Sequence, residues 1–490
     1  MEKPSVGNGA ATNTMLLMLV RVFTTVLGLI VAKLLSLHFS LEEYGTYSQA
    51  LLVTSSTTSI SILGLTNGTN YFYNRTTDEL IQKTYVATIF TIQYVIGVLC
   101  AVLLIACRGV IALYFRNERL INLMLLVAFT PMLSNLIAMY QTLFVSIGQA
   151  KKIAARNLFV SVGRLFAVIT ACFFTKRIET VLAVILLLDI GQVIYFAAVF
   201  QSDKYLIRTK DADLKYVREI LAFSVPMAVY VMTNSFSRDI DKYVISAFAN
   251  TETLAIYTNA AKVLPFDILT SSMITVLIPI LTRFINQRKL EEAQSLFCLY
   301  LRIGLIFTCV FIGGAIAVSD HLMLFLYDEK YMTGLPVFII YLFVDMIRFA
   351  NIATILSGAG KTKLLMIISL VTLALNTVFS VISYPLLGMV GPALVTIFLT
   401  CLMTLVMLHF GAKEIGTTIW CLFDGRELAV IATEITVLGI GAHYLAQWLD
   451  RIGLPLAFVL GISYVGYLAV MYGLNIKRVI GCLKALNVYR

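Results

Sequence analysis

The feature that most constrains this chain is a succession of long apolar runs with little between them. A bilayer crossing takes about 20 apolar residues. Runs of that length recur near 14–36, 44–65, 84–107, 121–146, 156–175, 180–200, 217–237, 252–281, 296–318, 335–357, 364–386, 390–410, 427–448 and 454–474. The longest polar stretch between them is 201–219, and no soluble domain is inserted. Charged residues are 13% of the 490 and apolar residues 59%, where soluble domains carry about 25% charge. So little charge cannot cover a water-facing surface, which excludes a soluble enzyme and a disordered chain. The expectation is an all-α polytopic membrane protein with about 14 spans.

The net charge of +10 would suggest nucleic acid in a soluble chain. In a polytopic one, the placement of Lys and Arg reports orientation. With the N-terminus inside, 22 of the 37 basic residues fall in cytoplasmic segments and 9 in outside loops. The loop 108–120 runs against this trend with Arg108, Arg116 and Arg119. The bias predicts that both termini are cytoplasmic and that the span count is even. The eight cysteines show no zinc or redox spacing. His38, His321, His409 and His443 show no metal-ligand spacing. No metal, cofactor, nucleic-acid partner or catalytic constellation is expected.

The chain also repeats itself. Residues 35–50 align with 245–260 without gaps, placing Ser36 on Ser246, Glu42 on Glu252, Tyr47 on Tyr257 and Ala50 on Ala260. The same offset of 210 places Gly148 on Gly358 and Lys151 on Lys361. Six spans separate equivalent points, so both halves enter the membrane in the same direction. They are expected to be related by a pseudo-two-fold along the membrane normal. The expected organisation is an N-lobe over 1–200 (spans 1–6), a cytoplasmic linker over 201–216 and a C-lobe over 217–410 (spans 7–12). Two further helices occupy 411–474, followed by a basic tail over 475–490. Two pseudo-symmetric six-helix lobes around a central cavity are a transporter layout.

Function is then sought in the charges that lie inside spans. An ionisable group at mid-bilayer costs about 2.5–3.5 kcal/mol on insertion scales and persists where it faces protein or water. Arg21 shares a helical stripe with Thr24, Thr25, Gly28, Ala32 and Ser36. Lys33 lies off that stripe, near the span end, where it either snorkels to the interface or serves as a ligand. The hydroxyl run 54–61 in the second span either glues helices together or lines a sugar path. The fifth span aligns Asn157, Ser161 and Arg164, and Asp189 in the sixth is placed to neutralise Arg164. The seventh span carries Asn234 in line with Ser237 and Asp241, with Arg238 beside them. The eighth puts Asn259 and Lys262 on one face, with Pro265 to interrupt the helix and Asp267 beyond it. Asp345 and Arg348 in the tenth stand at i and i+3, spaced to pair. Glu434 has no partner nearby in sequence.

Cavity candidates are thus Arg21, Arg164, Arg238, Lys262, Asn259, Asn234 and Arg348. Coupling-acid candidates are Asp189, Asp267 and Asp345. A guanidinium fork and an ammonium both suit phosphate oxygens, but the acids make the cavity amphoteric.

Two local patterns mislead. Residues 357–362 read Ser-Gly-Ala-Gly-Lys-Thr, but a phosphate-binding loop needs glycine where Ile355 stands. The sequons at Asn67 and Asn74 fall on the inside face.

The opening helix with an early arginine, followed by Leu41-Glu42-Glu43-Tyr44-Gly45-Thr46-Tyr47-Ser48, resembles the polysaccharide transporter (O-antigen repeat-unit flippase) family of the multidrug/oligosaccharidyl-lipid/polysaccharide flippase superfamily. The resemblance implies a non-enzymatic flippase of a bacterial cytoplasmic membrane, serving surface polysaccharide biosynthesis. Such proteins carry an undecaprenyl-diphosphate-linked oligosaccharide repeat unit between leaflets by alternating access. On this reading Arg21 and Lys262 contact the diphosphate, while Arg164 and the second-span hydroxyls follow the glycan. Its partners are the lipid-linked oligosaccharide, membrane lipids and other polysaccharide-assembly proteins. The alternatives are a cation-coupled multidrug exporter of the same fold, using one of the three acids, and a membrane polymerase or ligase. The last would need reacting groups on a long outside loop, and no such loop is present in the sequence.

Overall fold

Helix boundaries follow capping chemistry that is written in the sequence. The computed structural model describes residues 6–76, 78–147, 149–202, 209–262, 264, 266 and 268–488. The candidate acid Asp267, the helix-breaking Pro265 and the repeat residue Gly148 lie outside these. Among the described residues the structure is helices and turns, without strands. The chain divides into two compact units, one ending at Ala255 and one beginning at Ile256.

The first unit holds α1 (Val6–His38), α2 (Leu41–Ser61), α3 (Leu65–Arg75), α4 (Glu79–Ala106), α5 (Arg108–Tyr114), α6 (Leu120–Val127) and α7 (Thr130–Ser146). It continues with α8 (Ala150–Thr170), α9 (Ile178–Ser202) and α10 (Val217–Phe248), and the division falls within α11 (Thr251–Ala260). The long helix α1 lies along α8, α7 packs on α3, α4 and α9, and α10 runs beside α2 and α3. Aromatic and aliphatic residues fill the α3–α4–α7 core, among them Phe72, Phe90, Leu136, Tyr140 and Phe196.

The 210-residue repeat reappears as repeated helix starts. Ser40 caps α2, with its Oγ accepting from Glu43 N at 3.2 Å and Glu43 Oε2 accepting from Ser40 N at 3.1 Å, a reciprocal capping box. Asn250 stands one repeat later, and its Oδ1 accepts from Thr253 N at 2.9 Å at the start of α11. The two equivalent helix starts touch. A Cβ on Gly45 would stand 2.1 Å from the carbonyl oxygen of Thr251, so only glycine permits this approach of backbones. The Tyr-Gly step of the family motif is therefore a packing device, with Tyr44 buried beside it.

The second unit holds α12 (Ile268–Asn286), α13 (Leu290–Gly304), α14 (Val310–Ala317), α15 (Ser319–Leu326), α16 (Leu335–Ile347), α17 (Ala353–Gly358), α18 (Thr362–Leu387) and α19 (Val390–Glu414). It ends with α20 (Gly425–Arg451), α21 (Leu456–Leu460), α22 (Gly466–Leu474) and α23 (Ile476–Val488). Here α18 lies along α19, α16 packs on α14 and α19, and α14 packs on α20. Gly314 lets α14 close onto α22, since a Cβ there would sit 2.6 Å from the Tyr467 ring.

Eleven helices among the described residues are long and apolar enough to cross a membrane. They match every expected span except the second, seventh and eighth. The second, α2, is diluted by its hydroxyls. The seventh, α10, carries Glu219, Arg238, Asp239, Asp241 and Lys242. The eighth is interrupted between Ala260 and Ile268, and resumes as α12.

Candidate functional site

The site is best built from α8. The helix starts at Ala150, so Arg156 stands in its second turn rather than at the edge of the span. At 100° per residue, Arg156, Asn157, Val160, Ser161 and Arg164 share one face. That face lines a cavity of about 360 Å³ within the first unit. Thr24 of α1, Ser134 and Ile137 of α7, and Asp189 and Gln192 of α9 complete the lining.

The polar groups form one chain. Arg156 is only 9% exposed. Its Nη1 donates to Asn157 Oδ1 at 2.7 Å, and its Nη2 donates to Gln192 Oε1. The guanidinium also sits over the Phe196 ring, 4.9 Å from the centroid, a cation–π contact. Gln192 uses its other end to hold Asp189, with Nε2 donating to Oδ1 at 2.8 Å. Arg164 Nη2 approaches the same carboxylate oxygen at 3.7 Å. The Gln192 amide is thus a relay between a buried cation and a buried anion.

Burial assigns different parts to the two arginines. The Asp189 side chain is 8% exposed and that of Arg164 44%. An ion in a membrane interior persists when paired and hydrogen-bonded, and Asp189 has both kinds of partner. Two guanidiniums against one carboxylate leave the lining with an excess of one positive charge. Arg164 makes a single loose contact with Asp189. Most of its five N–H donors can therefore meet an acceptor in the cavity.

The other candidates are distributed along the chain. Arg21 is exposed on α1, and its carbonyl accepts from Thr24 Oγ1 at 3.0 Å and Thr25 Oγ1 at 2.8 Å. It is one turn from the cavity-lining Thr24 and does not itself line the cavity. On α10, Asn234 is half-buried and Arg238 exposed, beside a 2.6 Å pair between Lys242 Nζ and Asp239 Oδ1. In the second unit, Asn259 is buried at the end of α11, and Lys262 follows where that helix stops. Asp345 Oδ2 accepts from Leu264 N at 3.3 Å, tying α16 to the same interruption, while Arg348 Nη2 donates to Thr400 Oγ1 at 3.3 Å.

The hydroxyl run of α2, which suits either helix glue or a sugar path, makes helix contacts. Ser59 and Ser235 Oγ atoms are 2.7 Å apart, and Tyr243 OH donates to Ser56 Oγ at 2.6 Å. Ser61 Oγ accepts from Asn135 Nδ2 at 2.8 Å. Thr54, Thr57 and Thr58 bond back to carbonyls of their own helix. Sequence reasoning missed Arg156 and Gln192. The signal for both was present as an i, i+4, i+8 continuation of the Arg164 face and an i+3 partner to Asp189.

A polytopic helical membrane protein with compensated charges among its spans is a transporter-type architecture, and solved structures share its fold. The lipid II flippase MurJ in an inward closed conformation superposes with a TM-score of 0.74 at 16% identity, covering 94% of this chain and 100% of that one. An inward-facing multidrug resistance MATE family transporter of the MOP superfamily gives 0.67 at 12% identity, over 80% and 94%. A MOP superfamily transporter from Pyrococcus furiosus, described as having a binding pocket of reverse polarity, gives 0.60 at 14%, over 82% and 94%. These likenesses establish the fold, that of the multidrug/oligosaccharidyl-lipid/polysaccharide flippase superfamily. The chain belongs to the polysaccharide biosynthesis protein family, whose model matches residues 30–336, more than half of its length. No curated protein sequence matches it significantly.

Proposed function

We propose that the protein is a flippase that carries an undecaprenyl-diphosphate-linked oligosaccharide repeat unit across the bacterial cytoplasmic membrane for surface polysaccharide biosynthesis, without catalysing a reaction. The observation that carries this reading is the first-unit cavity, where a half-exposed Arg164 presents donors beside a hydrogen-bonded Arg156–Gln192–Asp189 chain. A net positive, hydroxyl-rich lining suits the oxygens of a sugar or of an acidic substituent. The family and the likeness to a lipid II flippase support a lipid-linked substrate. In this proposal the segments 1–200 and 217–410 act as two lobes that rock about a central path, with both termini cytoplasmic. Arg21 and Lys262 meet the diphosphate, and Arg164 follows the glycan. Asn234, Arg238, Asn259 and Arg348 complete the path. Other polysaccharide-assembly proteins are its partners.

The test is complementation of a deletion strain. Arg164→Ala, Arg21→Ala and Lys262→Ala are each expected to abolish surface polysaccharide while protein level holds. Normal export by all three would sink the assignment. A second reading is a cation-coupled multidrug exporter in which Asp189, Asp267 or Asp345 is the coupling acid. It draws on the burial of Asp189 in the cavity wall. A deletion that alters drug sensitivity and leaves surface glycan intact would favour it.

A further inference from the structure

The last sixteen residues were expected to be a basic cytoplasmic tail. Within this segment 476–488 form α23, a helix packed on the rest of the second unit. Asn475 is its corner. It is buried, and its Nδ2 donates to Glu434 Oε2 at 2.7 Å and to Met471 O at 3.0 Å. Arg478 donates to Asn475 Oδ1 and stands 3.8 Å from Glu427 and 3.5 Å from Glu434. Glu427 is also held by Arg302 of α13, with Nη2 at 2.7 Å. Cys482 is buried against Leu299, Ile303, Ile306 and Ile431, with Val479 beside it. These contacts fix the rotation of α23 about its own axis.

The fixed rotation turns a mixed face outward. Ile476, Lys477, Ile480 and Lys484 are all exposed, the isoleucines at 55% and 46%. At 100° per residue these four span an arc of about 100°, opposite Arg478, Val479 and Cys482. The two isoleucines occupy one edge of the arc and the two lysines the other. Segment 475–490 contains no acidic residue. The charge of Arg478 is compensated by two glutamates, which leaves Lys477 and Lys484 to act outward. The helix begins two residues after the membrane-crossing segment Leu456–Leu474, of which α22 is the last part, so its start follows directly on the end of a span. An apolar edge beside a basic edge at that level is the pattern of a helix lying in the lipid interface.

We propose that α23 is an interfacial helix that binds the anionic headgroups of the adjoining leaflet through Lys477 and Lys484, with Ile476 and Ile480 entering the acyl boundary. This proposal rests on the membrane reading of the chain alone and is independent of what is transported. The test is hydrogen–deuterium exchange of the full-length protein in nanodiscs of phosphatidylcholine with and without phosphatidylglycerol. Amides of 476–488 are expected to exchange more slowly in the anionic discs, by roughly fivefold for each lysine engaged. Lys477→Gln with Lys484→Gln should erase the difference while Arg302, Glu427 and Glu434 remain unchanged. Equal exchange in both discs overturns the proposal. So does a lipid effect that persists in the double variant, or protection that appears only when another polypeptide is added. Ile480→Ser provides an independent check, since it should weaken protection in both lipids and preserve the ratio between them.

Discussion

Arg164 Nη2 stands 3.7 Å from Asp189 Oδ1, while Gln192 Nε2 holds the same oxygen at 2.8 Å. The carboxylate is therefore secured by the amide and only leaned on by the arginine. That asymmetry separates the contribution of the cavity to folding from its contribution to transport, and the following variants exploit it.

Arg164→Gln should cost less than about 1 kcal/mol of stability, because a half-exposed ion pair contributes little. Export should nevertheless be lost. Arg156→Met removes the donor to the buried Gln192 oxygen and to the half-buried Asn157 oxygen, and should cost about 1–3 kcal/mol for the buried group left unsatisfied. Thermal unfolding in detergent, read beside surface polysaccharide per unit protein, checks the contrast. Equal melting losses for the two variants would contradict it.

Asp189→Asn leaves two guanidiniums on one face of α8 without a carboxylate beside them. It is expected to destabilise the fold, and adding Arg164→Gln is expected to recover part of the loss. The coupling between the two sites should fall within about 0.5–3 kcal/mol. Additive losses in a double-mutant cycle would show that the two groups do not sense each other.

Gly45→Ala should destabilise by about 1–3 kcal/mol, the usual cost of overpacking. The added carbon would lie 2.1 Å from the backbone oxygen of Thr251. Because the nearest clash is with backbone and Thr251 Cγ2 adds a second at 2.6 Å, Thr251→Ala should give only partial relief. Full rescue by that second change would place the clash on the Thr251 side chain.

Tyr243→Phe and Ser56→Ala remove the two ends of one 2.6 Å hydrogen bond. Polar contacts between membrane helices average about 0.6 kcal/mol. Each single variant should fall near that value, and the double variant should add almost nothing. Export should remain intact in all three. A transport defect at unchanged stability would return these hydroxyls to the substrate path.

Legibility differed from element to element. The apolar runs announced eleven of the spans, because a helix in lipid carries its environment in its composition. The caps formed by Ser40 with Glu43 and by Asn250 with Thr253 emerged only in the structure, although capping is local chemistry. The resemblance carried by Glu42 to Ser48 named the family that the match over 30–336 bears out. Arg164 and Asp189 were visible as an intramembrane pair. Arg156 was not, since three basic residues at a span edge read equally well as loop. Glu434 looked solitary because its partners, Asn475 and Arg478, lie about forty residues away on the other side of a span.

By itself the sequence determined that this chain lives in a bilayer and that it is helical. Composition and periodicity act over a few neighbours, so one dimension suffices to read them. Only the tertiary structure decided which charges are neutralised, which hydroxyls are glue, and which way the final helix turns its lysines. Those outcomes depend on which side chains from distant spans come within a few ångströms, and no local pattern records that.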